Sequence, residues 1–383
     1  MEGILRDRFP ILGRKTYLNS CSYGALSFEV RGAYEAYLDA REEFGSPWDQ
    51  FVAKNEEVRG LFAELIHAAP EEIAVTASAS ASLNALVSGL DFSGPRRKIV
   101  VSDFEFPTVG QIWNAQKARG AEIAYADQVD GAEGARVPLE RFEKLIDDQT
   151  LLVSIAHVCY RNGARNDIEG VVRLARERGA LVLVDAYQAL GAIPIDVKTL
   201  DVDMLIGGPL KYLLGSAGAG FLYMRDSLLT GISPFVTGWF AQADIFAMDH
   251  RRHAPAPTAQ RFEAGTPPVP SLYAAAAGLR LVQSVGAARI REHVLQLTDQ
   301  LKCGAAEMGV ALATPADPAR HGSMIAFRAT DEAALVDRLA QVGIVTSSRD
   351  GNLRVSPHFY NSSEDIERLL AALRENRDLL RNS

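Results

Sequence analysis

Lys211 lies in the run Asp203-Met204-Leu205-Ile206-Gly207-Gly208-Pro209-Leu210-Lys211-Tyr212, and the turn Gly215-Ser216-Ala217-Gly218-Ala219-Gly220 follows it. Upstream stands Val182-Leu183-Val184-Asp185-Ala186-Tyr187-Gln188. The first run reads as an apolar strand that delivers one lysine on a loop, with small residues beyond it that let backbone crowd a ligand. The second reads as a buried strand whose carboxylate emerges where the apolar run stops. Either segment alone fits an ordinary ion pair. Together, in this order, they supply what a pyridoxal-phosphate (PLP) enzyme requires. An amine forms a Schiff base with the aldehyde, and a carboxylate keeps the pyridine nitrogen protonated so that the ring takes up electrons.

These groups need a scaffold, and the chain between about residues 52 and 225 describes one. Glu56 to His67 carries apolar residues at Val58, Leu61, Phe62, Leu65 and Ile66, a helical stripe. Lys98–Ser102, Ala121–Ala126, Leu151–Ala156, Ala180–Val184 and Phe221–Met224 read as buried strands. Thr108–Arg119, Pro138–Ile146 and Ile168–Arg178 between them read as helices. Alternation at this spacing predicts an α/β fold: a mostly parallel sheet covered on both faces, with ligands beyond the carboxyl ends of its strands. Phe235–Pro270 is irregular and too long for a plain connector, which marks it as functional or at a subunit contact. Helices over Ser271–Val285 and Ala287–Met308 lead into a smaller α+β region. Its elements are Met324–Phe327, Asp331–Gln341, Ile344–Thr346, Leu353–Val355 and Ser363–Leu380. The division expected is 1–50 as an N-terminal segment joining the small domain and the site's rim, 51–270 as the large domain, and 271–383 as the small one.

The 383 residues suffice for two or three domain-sized units. No apolar run approaches the roughly 18–20 residues of a membrane span. The start, Met1-Glu2-Gly3-Ile4-Leu5-Arg6-Asp7-Arg8, has no apolar signal region, so a cytoplasmic location is expected. Cys21, Cys159 and Cys303 show neither paired nor metal-like spacing, so neither a disulfide framework nor a metal site is expected. A net charge of −8 with no basic tract argues against a nucleic-acid partner. Anionic ligands must be held by local groups.

From Tyr17 to about Leu370 the chain resembles the class V branch of fold-type I PLP enzymes, which includes kynureninases, cysteine desulfurases, isopenicillin-N epimerases and some aminotransferases. The resemblance implies the fold-type I transferase architecture and a Schiff base on Lys211. Asp185 becomes the partner of the pyridine nitrogen and Gln188 that of the ring hydroxyl. Thr76-Ala77-Ser78-Ala79-Ser80-Ala81-Ser82-Leu83-Asn84 matches the first phosphate loop, where Ser80 and the amides of Ala79 and Ala81 are the chosen contacts, with the Gly208 backbone nearby. Glu105-Phe106-Pro107-Thr108 is similar to a kynureninase element in which the aromatic residue stacks on the cofactor. His157-Val158-Cys159-Tyr160-Arg161-Asn162-Gly163 is similar to another, giving Tyr160 a place at the site; His157 is either a buried structural residue or a cofactor neighbour. Gly238-Trp239-Phe240 and Arg261-Phe262-Glu263-Ala264-Gly265-Thr266-Pro267 match loops that imply cofactor contacts from Trp239 and Thr266. In the family the threonine reaches the neighbouring subunit's phosphate, which implies a homodimer with shared sites. Arg354, in Leu353-Arg354-Val355-Ser356-Pro357-His358-Phe359-Tyr360-Asn361, matches the arginine that grips the substrate carboxylate. Asn19, Tyr23 and Arg349, with Cys21, Trp48 and Trp239, are candidate substrate contacts.

Three departures bear on the reaction. The loop Thr346-Ser347-Ser348-Arg349-Asp350-Gly351-Asn352 has no cysteine, which excludes persulfide formation by the desulfurase route. Leu210 stands where many members place His or Tyr, and Gln188 where kynureninases have histidine. The expected function is attack on an α-amino acid, small or aryl-bearing, with Lys211 as the general base. A lyase or hydrolase acting at the β-carbon comes first, then a class V aminotransferase, then an epimerase or racemase. A non-catalytic PLP-binding partner protein is the reading from another class.

Overall fold

The computed structural model describes residues 2–131 and 134–383. The chain begins with β1 (Thr16–Tyr17), α1 (Phe28–Phe44) and α2 (Trp48–Leu65). Next come β2 (Ile73–Thr76), α3 (Ala79–Ser88), β3 (Lys98–Ser102), α4 (Pro107–Ala115), β4 (Glu122–Ala126) and α5 (Leu139–Leu145). β5 (Thr150–Ala156), α6 (Ile168–Glu177), β6 (Leu181–Asp185), β7 (Met204–Gly207) and β8 (Gly220–Met224) complete the first half. The second half holds α7 (Val269–Val285), α8 (Ala287–Glu307), β9 (Ile325–Arg328) and α9 (Glu332–Gln341). It ends with β10 (Ile344–Val345), β11 (Ser347–Arg349), β12 (Asn352–Val355) and α10 (Ser363–Glu375).

A seven-stranded sheet runs β2-β8-β7-β6-β5-β3-β4, with β3 to β7 pairing in parallel and β8 antiparallel to both neighbours. Period-two alternation sorts its residues into two cores. Val100, Val153, Ile155, Val182, Val184, Leu205, Phe221 and Tyr223 face one. Ile99, Val101, Leu152, Leu183, Met204, Ile206, Leu222 and Met224 face the other. Both faces are therefore covered, as continuous apolar strands require. A second sheet, β11-β12-β9, is antiparallel and packs Ile325, Phe327, Leu353 and Val355 against Leu297, Leu301, Ile366 and Leu369. β1 pairs in parallel with β10, tying the N-terminal segment to this smaller sheet.

The structure departs from the sequence reading in several places. α1 and β2 are additional elements: α1 has few buried residues, and β2 is only four residues long. The helix expected at Thr108–Arg119 divides into α4 and a 3-10 turn at Gln116–Arg119. α7, grouped by sequence with the C-terminal region, packs on α1 and α2 and buries Leu272, Ala275, Leu279 and Val282 in the larger core. No described helix is long and apolar enough to cross a membrane.

Candidate active site

A cavity of about 270 Å³ opens at the carboxyl ends of the parallel strands. Its polar lining includes Ser78, Ser80, Tyr160, Asp185, Gln188 and Lys211; Phe104, Phe106, Val109, Val158, Ile206 and Leu210 make much of the rest apolar. The sequence alone places Lys211, Asp185, Gln188, Phe106, Tyr160, Ala79 and Ser80 at one site, and all seven line this cavity.

Lys211 follows β7 on a loop that three parts of the chain hold. Pro209 O accepts from the Gly215 amide at 2.8 Å, Leu210 O from the Gly24 amide at 2.9 Å. His358 Nε2 donates to Tyr212 O at 2.8 Å. The Lys211 amine makes no hydrogen bond or ion pair among the described residues; it lies 4.6 Å from the Tyr187 ring centroid and 5.9 Å from that of Phe106. Burial lowers its pKa to about 8, against the opposing pull of Asp185. A nearby neutral amine is a competent nucleophile and base.

Asp185 ends β6, and its Oδ1 accepts the Tyr187 amide at 2.9 Å. Burial raises its pKa, while that hydrogen bond and Lys211 oppose the rise. Glu105, quoted from sequence only as part of the Phe106 element, is a second buried carboxyl. Its Oε1 accepts from Ser154 Oγ at 2.9 Å, and its Oε2 has no partner. Burial, then the charge of Asp185, holds Glu105 well above the usual carboxylate range. Tyr187, also given no role from sequence, lines the cavity beside Lys211.

α3 starts beside the cavity because Gly220 permits it: a Cβ at 220 would lie 2.2 Å from the Ser78 carbonyl carbon. Ser78 caps the helix, its Oγ accepting from the Ala81 amide at 3.0 Å. This corrects the expectation for Ala81, whose amide is already engaged and which faces a different pocket. The Ala79 and Ser80 amides stand in the first turn, where a helix leaves its N–H groups without backbone acceptors. Gly208 is buried against the Tyr187 hydroxyl and does not line the cavity.

Arg354 is only 4% exposed yet has no carboxylate partner among the described residues. Its Nη1 donates to Tyr160 O at 2.8 Å; its Nη2 donates to Ser22 Oγ at 3.1 Å and Ser347 Oγ at 3.0 Å. Its Nε is buried without a partner. Of the other expected substrate contacts, Tyr23 is 42% exposed and its hydroxyl bonds Ser216 at 3.1 Å. Asn19 is half-buried near Cys21, and Arg349 is exposed on β11. None of these three lines the cavity, and neither does Arg354.

Trp239 and Thr266 also lie outside the cavity of their own chain. Trp239 packs edge-on against Trp48 at 5.5 Å, and Thr266 lies in a separate pocket with Ala81 and Glu263. His157 is likewise absent from the lining, although Ala156, Val158 and Tyr160 belong to it. Alternation along the strand end turns its ring the other way. There its Nε2 accepts from Arg165 Nε at 3.2 Å, and burial lowers its pKa to about 3. Among the described residues no acidic, histidine and cysteine group could hold a metal, and Cys21, Cys159 and Cys303 are free thiols.

The profile of class-V aminotransferases matches residues 34–369. An uncharacterized aminotransferase, YcbU, of Bacillus subtilis is 37% identical over 361 residues, covering 94% of each chain. A kynureninase of Deinococcus radiodurans is 30% identical over 389 residues, covering 96% of this chain and 91% of its own. The apo cysteine desulfurase of Thermococcus onnurineus superposes with a TM-score of 0.87 at 26% identity, over 98% of this chain and 99% of its own. The chain belongs to the class-V aminotransferase family and has the fold-type I architecture of PLP enzymes. It is a PLP-dependent enzyme. The site suits that cofactor: Lys211 has an uncommitted amine, Asp185 keeps an oxygen free of side-chain donors, and the cavity is walled by aromatic rings.

Proposed function

We propose that this protein breaks a bond at the β-carbon of an α-amino acid, as a lyase or hydrolase of the kynureninase or C–S lyase type. PLP, when bound, lowers the barrier to bond breaking at the α-carbon by taking up the charge. Lys211 holds the cofactor and then takes the α-proton, a task that suits an amine with a pKa of about 8. Asp185 would hold the pyridine nitrogen, Gln188 the ring hydroxyl, and the Ala79 and Ser80 amides the phosphate. Arg354 receives the substrate carboxylate through a fork that has no carboxylate of its own.

The observation that carries the reaction type is the tether between Arg354 Nη1 and Tyr160 O. It fixes the carboxylate grip to the residue whose phenol lines the cavity beside Phe106, with ring centroids 5.0 Å apart. This links the proposed carboxylate grip to Tyr160, the candidate acid for the leaving group. Burial raises the Tyr160 pKa, so the phenol keeps its proton for a leaving group. The remaining lining is largely apolar, which favours substrates whose leaving group departs readily, such as thiolates, sulfinates or stabilised carbanions.

An aminotransferase is the second reading, favoured by the 37% identity to YcbU. One half-reaction separates the two. The purified enzyme, given one amino acid and no keto acid, should release alanine or pyruvate over many turnovers. Stoichiometric conversion of the cofactor to its amine form, with no small product, would transfer the assignment to the aminotransferase. Borohydride reduction and peptide mapping should label Lys211 in either case; label elsewhere removes both readings.

We also propose a homodimer with shared sites. The positions of Trp239 and Thr266 outside their own chain's cavity support it. So do the exposed side chains of Phe28, Phe235 and Met248. Sedimentation showing a fully active monomer would reject it.

A further inference from the structure

We propose that Tyr187 is a cofactor-binding residue: its ring closes the cavity opposite Phe106, and its hydroxyl donates a hydrogen bond to the phosphate of bound PLP. The proposal rests on the reading that PLP joins Lys211. Two observations carry it. The Lys211 amine lies 4.6 Å from the Tyr187 centroid and 5.9 Å from the Phe106 centroid, and both rings line the cavity. A planar group joined to that amine enters between two aromatic rings, which attract such a group face to face or edge on.

The hydroxyl supplies the second observation. A Cβ at residue 208 would lie 2.7 Å from the Tyr187 hydroxyl oxygen and 3.0 Å from Ala219 O, so the phenol fills the space that a side chain at 208 would need. Ala219 leads into Gly220, which presses on Ser78 and Ala79 at the start of α3. The phenol oxygen therefore shares the space beside Gly208 with the Ala219 carbonyl, one residue before the glycine that packs on the start of α3. Neither Gly208 nor Leu210 offers a polar side chain there. A doubly charged phosphate needs donors beyond two amides. Burial raises the phenol's pKa, and the charge of Asp185 adds to the rise, so the proton stays available for donation.

The test uses apo-protein titrated with PLP and, separately, with pyridoxal, which has the ring and aldehyde without the phosphate. Tyr187→Phe keeps the ring and should weaken PLP binding about ten-fold or more while leaving pyridoxal affinity unchanged. Gly208→Ala, whose new Cβ displaces the hydroxyl, should show the same selectivity. Tyr187→Ala removes the wall as well and should weaken both ligands. Tyr187→Phe binding PLP as tightly as the parent, or losing PLP and pyridoxal in equal measure, overturns the proposal. Borohydride label on Lys211 in the Phe variant separates this failure from a failure of the cofactor reading itself.

Discussion

Asp203 and Asp185 sit on adjacent strands at opposite ends of one sheet, and their surroundings differ in kind. Asp203 precedes β7 and is 1% exposed. Its Oδ2 accepts the Val182 amide at 2.8 Å, and its Oδ1 takes Arg176 at 2.8 Å and Arg225 at 3.2 Å. Asp185, at the carboxyl end of β6, has one backbone donor and an unbonded lysine nearby. Two arginines repeat the contrast. Arg59 is buried between Glu263 at 2.7 Å and Glu56 at 2.9 Å, whereas Arg354 is buried with no carboxylate among the described residues. A buried charge with its partners in place holds the chain together. A buried charge without them is costly to leave so, which supports the proposal that a ligand supplies the partner.

Neutralising the two aspartates should separate stability from function most widely. Asp203→Asn weakens the bonds of a buried carboxylate to the part-exposed Arg176 and Arg225, both of which also pair with Asp201, and should cost about 1–3 kcal/mol in urea unfolding, with turnover per folded molecule unchanged. Asp185→Asn should cost little stability in the apo-protein and lower turnover by about 10²-fold or more. Equal losses of stability in the two variants would erase the distinction between them. The arginine pair should show a smaller split. Arg354→Lys keeps the charge and loses the fork, so KM for the amino acid should rise about ten-fold or more with the melting temperature unmoved. Arg59→Lys should cost about 1–3 kcal/mol of stability and leave KM alone. If Arg354→Lys leaves KM unchanged, the carboxylate grip lies elsewhere and Arg349 is the next position to examine.

Sequence exposes this contrast unevenly. Strands β3 to β8 are legible because apolar runs of four to seven residues end in a polar residue or glycine, and Asp185 and Lys211 stand at such ends. Phe106 and Tyr160 are legible only through their resemblance to kynureninase elements, since neither stands on a strand. What sequence hides is partnership. Arg59 and Arg354 each follow a hydrophobic residue on a regular element, and only the fold shows that one meets Glu263 and the other meets Tyr160 O. Glu105 and Tyr187 are hidden for the same reason, since a carboxyl before Phe106 and a phenol after Asp185 carry no local mark of burial. Tyr187 had one indirect signal: Gly208 and Leu210 leave that wall without a polar side chain. Ala81 shows the converse, a residue placed well by its motif whose amide the Ser78 cap had already claimed.

Lys211 itself gives the finest comparison, because its missing partner can be read as a pH effect. In the folded apo-protein its pKa is about 8, below the ordinary value of 10.5. Below about pH 8 both the folded and unfolded chains hold the proton, so the burial penalty is fully present. Between about 8 and 10.5 the folded chain has released it while the unfolded chain retains it. The unfolded state then binds more protons, and this group's contribution to stability rises with pH. The difference between the two values corresponds to roughly 3 kcal/mol. Lys211→Met fills similar space without the charge but leaves Asp185 without its attraction, so the variant's apo-protein should gain only about 1–2 kcal/mol at pH 7. The gap should narrow toward pH 10 in paired urea titrations. A gap that widens with pH, or a variant less stable than its parent at pH 7, would mean that the amine is satisfied in the empty site, and the contrast with the paired charges would fail at its central residue.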